Sequence, residues 1–265
     1  MSSRYRSAVL AALATCAFAW SAFATAPLRI CADPDDMPFS NRAARGFDNR
    51  IATLLAHDLH REPVFIFARS RRGFLREQFN KGACDVLMGV PQGMKSVATT
   101  QPYYRSTYVF VTPAREHSRI VSFDDPLLNG RSIGLQVLEE NFSPPSLPLI
   151  RSGHAAQLVG FESFGGEAAM IRAVARGRIG AAVVWGPIAG YYAALLDLPV
   201  TLSPVSPAAD RSSISFAYSL TVGVHKNDPQ LVKALNASLA RMQPRIASLL
   251  HTYHIPIAAQ PGGSR

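Results

Sequence analysis

Phe47, Ile51, Leu54, Leu55 and Leu59 recur at spacings of three and four, which places them on one face of a helix predicted over residues 48–60. Apolar runs of strand length flank it: "PLRICAD" before, then "PVFIFA" and "CDVLMGV" after. Between the last two, Phe74, Leu75 and Phe79 mark a second amphipathic helix. Strand, helix, strand, helix and strand with short connections predict parallel strands with helices on their faces. The stretch "QPYYRSTYVFVT" (101–112) follows, and its second half alternates like a strand leaving this first unit, with Tyr108 and Phe110 as core or hinge. After a link at residues 113–125 the pattern resumes with "RSIGLQVL" and "LVGFE" as strands, a helix carrying Ala168, Met170, Ile171 and Ala175, and the strand "AAVVW". "NKGACDVLMGVP" and "ARGRIGAAVVWGP" run alike from a basic helix end through glycine into an apolar strand, which favours two lobes built alike.

The Pro- and Ser-rich "SPVSPAADRSSIS" suits a loop that returns the chain to the first lobe. "FAYSLTVGVHKND" reads as a long strand, and Leu231, Leu235, Leu239, Met242, Ile246 and Leu249 share one face of a helical region over 228–253. Pro244 is expected to open a second helix there, because proline fits only a first turn. The tail "AAQPGGSR" is expected to be disordered.

The start of the chain changes the picture of where it works. Arg4 and Arg6, an apolar run at 9–19 and Ala22-Phe23-Ala24 read as a secretory leader over residues 1–24, so export to the periplasm is expected. The run is too short for a membrane anchor, which needs about 20 apolar residues. The formal charge is +9, and loss of Arg4 and Arg6 with the leader takes it to +7. In an exported protein this surplus points to an acidic protein partner or an anionic membrane surface rather than to nucleic acid, or simply to a soluble surface.

Catalytic and cofactor templates find no match. There is no G-x-S-x-G elbow, Ser-x-x-Lys, His-Glu-x-x-His, Walker loop or dinucleotide fingerprint, so the chain is read as no enzyme and without cofactor. The seven histidines offer only the pairs His57/His60 and His251/His254, neither with a third ligand in view, so no metal is expected. Asp33, Asp35 and Asp36 gather carboxylates after the first strand, where ligands of open α/β sheets bind, although turns are ordinarily rich in Asp.

The leader, "LRICADPDDMPFS", "GFDNRIATLLAHDL", "GACDVLMGVP" and "TTQPYYRSTYVFV" together resemble the solute-binding proteins of family 3, the receptors of ABC transporters. The resemblance runs over essentially the whole mature chain. It implies an α/β fold of the two-lobed periplasmic binding-protein kind (type II), with mostly parallel sheets, helices on both faces, two hinge strands and a ligand cleft. Residues 25–112 then form lobe 1, residues 113–214 lobe 2, and residues 215–265 return to lobe 1. Such receptors hold an amino-acid carboxylate with an arginine in a turn before the Pro-Tyr, the amino group with an acidic residue ending the lobe-2 strand, and the side chain against an aromatic residue in the first loop. Gly93, Trp185 and Asp36 occupy those places here. A zwitterion buried without partners costs several kcal/mol, so an amino-acid ligand is not expected.

A narrower resemblance accommodates these departures. "CADPDDMPFS", "RRGFL", "DDPLLNGRSIGLQ" and "AVVWGPIAGYY" look like the MxaJ/XoxJ-type accessory proteins of periplasmic quinoprotein methanol dehydrogenases. This implies a non-catalytic partner of a pyrroloquinoline-quinone (PQQ) alcohol dehydrogenase and its cytochrome. Residues 141–153 are shorter and less acidic than that group implies. The alternative is a transport receptor, partnered by an ABC permease, for an organic acid or other non-amino-acid solute. Its cleft would use Arg71, Arg72, Tyr103, Tyr104, Arg105 and Trp185, with Asp33, Asp36 and Phe39 as further candidates in the first loop. Arg71 and Arg72, set against a helix N-terminus, read as an anion site, a docking patch or a solvated pair. Cys31 and Cys84 survive leader removal in a compartment that permits disulfides. Level pairing of parallel strands sets Cys31 beside Leu87 or Met88, a stagger of roughly 10 Å from Cys84. That exceeds the roughly 7 Å bridging limit, so the two thiols are expected apart unless register or twist intervenes.

Overall fold

The computed structural model describes residues 26–117, 119–138, 141–162, 166–209 and 214–259, so the expected leader lies outside the described residues. The chain begins with β1 (Leu28–Ala32), the short strands β2 (Asp35–Asp36) and β3 (Ser40–Asn41), α1 (Phe47–Asp58), β4 (Pro63–Phe67), β5 (Val86–Pro91), β6 (Ala98–Thr99) and β7 (Tyr104–Pro113). It continues through β8 (Ile133–Leu138), β9 (Asn141–Phe142), α2 (Ser146–Arg151), β10 (Leu158–Glu162), α3 (Glu167–Ala175), β11 (Ala181–Trp185), α4 (Gly186–Leu195) and β12 (Val200–Pro204). β13 (Ala217–Val224) and α5 (Pro229–Thr252) bring it back.

Eight strands follow one path, β10-β8-β11-β7-β13-β5-β1-β4, with β12, β6 and β9 pairing beside it and β2 with β3 apart. At one end β1 lies parallel between β4 and β5; at the other β8 lies parallel between β10 and β11. Antiparallel β7 and β13 join these two trios. β7 pairs with β13 through Tyr104–Thr107 and then with β11 through Tyr108–Val111, so a single strand passes from one lobe to the other. This is the two-lobed α/β architecture expected from the alternation of elements.

Each lobe has its own core. In the first, Phe47, Ile51 and Leu55 of α1 pack with Leu235, Leu239 and Ile246 of α5 and with β1, β5 and β13. Burial of each such side chain contributes about 1.5–3 kcal/mol. In the second, Ala181 and Val183 of β11 face one cluster while Ala182 and Val184 face another. A strand covered on both faces buries both phases of its two-residue repeat, which is why "AAVVW" is a continuous apolar run.

Four local features differ from the sequence expectation. The second helix shrinks to one π-type turn over Leu75–Phe79, hemmed in by Gly73 at φ 92° and Gly82 at φ 73°. α5 runs unbroken through Pro244. Pro244 and Ala240 are both exposed, so the carbonyl deprived of its partner meets water while Ile246 and Leu250 stay buried in the core. Ala258, expected in a disordered tail, is instead held, its amide donating to the Arg105 carbonyl at 2.9 Å; residues 260–265 lie outside the described residues. Cys31 and Cys84 form a disulfide with their Cα atoms 5.4 Å apart. Cys31 does stand opposite Leu87, but β5 begins only at Val86, so the rise of an extended strand does not apply to Cys84. The bend before β5 is instead held against β1 by hydrogen bonds between Asp85 and Arg29 in both directions.

Candidate functional site

The loop from β1 to α1 sets one wall of the cleft. Asp33 is 3% exposed and its carboxylate accepts from the amides of Asp35 and Ser70, so it shapes the turn. Asn49 of α1 accepts from the amides of Asn41 and Gly46 and donates to the Ser40 hydroxyl, tying the loop to the helix start. At Gly46 a Cβ would stand 2.0 Å from the Phe39 carbonyl oxygen, so only glycine allows this approach. Asp36 and Phe39 are thereby held over the ends of β1 and β5.

Two adjoining cavities result. One of about 300 Å³ lies within lobe 1 and includes Asp33, Asp36, Phe39 and Asp48. The other, about 450 Å³, opens between the lobes and adds Tyr104, Tyr108, Gln136, Glu167, Trp185 and Tyr218. α1, β7, β8, α3, β11 and β13 therefore all contribute to it.

The electrostatics of the cleft are acidic. Asp48 is 6% exposed; its Oδ1 accepts from the Tyr103 hydroxyl at 2.6 Å, and that hydroxyl accepts from the Gly89 amide at 2.8 Å. Burial pushes the Asp48 carboxyl up to about 7, with the Tyr103 hydrogen bond pulling the other way. Asp36 is likewise raised to about 7, first by burial and then by the neighbouring carboxylates of Asp33, Glu167, Asp48 and Asp35. Burial raises Tyr103 and Tyr104 well above the usual tyrosine range, so both are neutral donors. Among the described residues no group of three or more His, Cys, Asp or Glu side chains is arranged to hold a metal ion.

The structure brings Asp33, Asp36, Phe39, Tyr104 and Trp185 to these cavities. Tyr103 stands behind them, buried and bonded to Asp48. Arg105 is directed elsewhere: it alternates with Tyr104 along β7, lies opposite Ser219 and donates to that hydroxyl at 3.3 Å. Arg71 and Arg72 are exposed, with Arg71 beside a separate pocket of about 200 Å³ that also touches Glu77. None of the three arginines is among the described residues that line the inter-lobe cavity. Asp48, Glu167 and Gln136 escaped the sequence reading. Asp48 had a signal, a carboxylate on the apolar stripe of α1, whereas Gln136 and Glu167 reach the cleft only through the folding of lobe 2. Tyr108, read as core or hinge, is 8% exposed and lines the cavity, while Phe110 is fully buried core.

Among the described residues no helix is long and apolar enough to cross a membrane. The family model described as bacterial extracellular solute-binding proteins, family 3, matches residues 28–254. The chain is 30% identical over 250 residues to the protein MoxJ of Paracoccus denitrificans, covering 88% of this chain and 90% of that one. The crystal structure of MxaJ from Methlophaga aminisulfidivorans MPT is similar with a TM-score of 0.75 at 29% identity, over 87% of this chain and 100% of that one. That of the periplasmic binding protein XoxJ from Methylobacterium extorquens AM1 gives a TM-score of 0.73 at 29% identity, over 88% and 100%. With its two parallel trios, its shared crossing strands and a match over nearly all the described residues, the chain belongs to the bacterial extracellular solute-binding proteins of family 3.

Proposed function

We propose that the protein is a periplasmic, non-catalytic accessory factor of a PQQ-dependent methanol or alcohol dehydrogenase system, associating with the dehydrogenase and its cytochrome. The likeness to MoxJ, MxaJ and XoxJ supports this reading. The observation that carries it is the loss of the amino-acid anchors together with the charge of the cleft. By the resemblance to family 3, Gly93, at φ 83°, Trp185 and Asp36 take the places of the arginine, the acid and the aromatic residue that hold an amino acid in such receptors. The cavity itself presents Asp36, Asp48 and Glu167 with no lysine or arginine among its described lining residues. A carboxylate-bearing solute would meet like charge there once these groups ionise. Assignment of residues 25–112 to lobe 1, 113–214 to lobe 2 and 215–265 to the return belongs to the same reading, supported by the change of β7's partner after Thr107.

The transport alternative has one observation in its favour, the enclosed volume of about 450 Å³ between the lobes, within the range of small-molecule sites. Deletion of the gene in its native host, followed by dye-linked alcohol oxidation in periplasmic extracts, decides between the two. Loss of oxidation, restored by the wild-type gene, is the expected result. Full oxidation with loss of uptake of a solute would sink the accessory reading.

A further inference from the structure

The chain carries a formal charge of +9, yet the carboxyl groups of Asp36, Asp48 and Glu167 line the inter-lobe cavity with no lysine or arginine among its described lining residues. This local reversal of sign is set in an aromatic wall. Trp185 stands edge-on to Tyr108 and Tyr218, with ring centroids 5.3 and 5.8 Å away. Aromatic faces attract cations through their quadrupole, most strongly in sites withdrawn from water.

Glu167 already accepts from the Gln136 side-chain amide at 3.4 Å, and two observations indicate that the Asp36 and Asp48 carboxyl groups are available to a ligand. No hydrogen bond or ion pair from a described residue reaches the Asp36 side chain, and the charges around it are carboxylates. Asp48 is 6% exposed and uses Oδ1 for Tyr103. Its Oδ2 lies on the side of Gly89, 3.2 Å from where a Cβ would stand, and no described donor reaches it. Both Asp48 and Gly89 line the cavity. A buried acceptor open to a cavity calls for a donor from outside the protein. A metal ion is not that donor, since no group of three or more ligating side chains is formed among the described residues.

We propose that the inter-lobe cavity binds a small organic ammonium ion. Its charged head lies between Asp36 and Asp48 of lobe 1 and Glu167 of lobe 2, and its alkyl body rests against Trp185, Tyr108 and Tyr218. The ion joins the two lobes through opposite charge, and the missing arginine anchor is explained because the ligand has no carboxylate to hold. The inference goes beyond the accessory role and does not depend on it.

Isothermal titration of the purified chain at pH 8 with n-butylammonium, butyrate and 1-butanol tests it. Butylammonium is expected to bind one to one and the other two not at all. Asp36→Asn and Glu167→Gln, each checked for native circular dichroism, are expected to raise Kd by roughly tenfold or more through loss of a charge-assisted hydrogen bond. Binding is also expected to weaken by about tenfold from pH 8 to pH 6, because a carboxyl group titrating near 7 must ionise to hold a cation. Among the described residues the groups facing Asp36 are Asp33 and Asp35 from its own loop, Asp48 from α1, Glu167 from α3, Tyr104 from β7 and Tyr192 from α4, none of them cationic. Butyrate binding as tightly as butylammonium, unchanged binding in both variants, or no heat from butylammonium overturns the proposal. Such a failure leaves the dehydrogenase association standing, since the deletion assay and the titration share no readout.

Discussion

Replacing Asp48 by Asn tests the electrostatics of the cleft directly. The carboxyl group is 6% exposed and folding lifts it from the ordinary value of 3.8 to about 7. A raised acid binds more protons folded than unfolded between those two values, so stability falls as pH rises through that window and levels off above it. A shift of about three units corresponds to roughly 4 kcal/mol in full, of which about 3 kcal/mol develops between pH 5 and pH 8. Asn keeps an acceptor for the Tyr103 hydroxyl, now 2.6 Å from Oδ1, and has no charge to bury. Asp48→Asn is therefore expected to be more stabilising at pH 8 than at pH 5 by about 2–3 kcal/mol. In thermal unfolding this is a gain roughly 5–10 °C larger at pH 8 than at pH 5 for a chain of this size. Paired urea and thermal melts of wild type and variant at pH 5, 6.5 and 8 measure it. A stability difference that does not change over that range would refute the argument, since it would mean that the buried carboxyl group ionises without penalty.

Other perturbations address the frame around the site. Replacing both Cys31 and Cys84 by Ala opens a loop with a sequence separation of 53; the chain-entropy relation gives a loss of about 4 kcal/mol, readable by denaturant melts against the oxidised wild type. Asp85→Asn removes a carboxylate that Arg29 holds below the ordinary range despite burial pushing it up. Its stabilisation is present above the unfolded value and lost as pH falls, so the variant is expected to be less stable by about 1.5–3 kcal/mol at pH 7, with the gap closing below about pH 4. Gly190→Ala places a Cβ 2.0 Å from the His254 carbonyl oxygen. The segment after α5 is then expected to lift off α4, at a cost of roughly 1–3 kcal/mol, with faster hydrogen exchange at the Ala258 amide that now bonds Arg105.

Much of the architecture was written in local pattern. The stripe of Phe47, Ile51 and Leu55, the two-sided run of β11 and the repeated order of strands and helices each follow from periods of 3.6 and 2 residues, and these are properties of neighbours along the chain. Asp33, Asp36, Phe39, Tyr104 and Trp185 could be named as cleft candidates for a related reason: they sit at strand ends or in the loop after β1, where an α/β sheet opens. The ends of elements were less legible. Pro244 inside α5 and the shortened turn at Leu75–Phe79 were decided by what packs against them or faces water, not by propensity alone.

The sequence by itself determined the two-lobed α/β order of elements, because its hydrophobic periods and repeated pattern carry that information. Only the tertiary structure decided the sign of the cleft. The alternation of β7 turns Arg105 toward Ser219 and Tyr104 toward the cavity, a difference of one residue in phase. α1 and α3, 119 residues apart along the chain from Asp48 to Glu167, bring their carboxyl groups to the same space. The Cys31–Cys84 bridge was likewise settled by the bend before β5, where the spacing of an extended strand no longer holds. Charge and distance at such points depend on where separate elements meet, which no local period records.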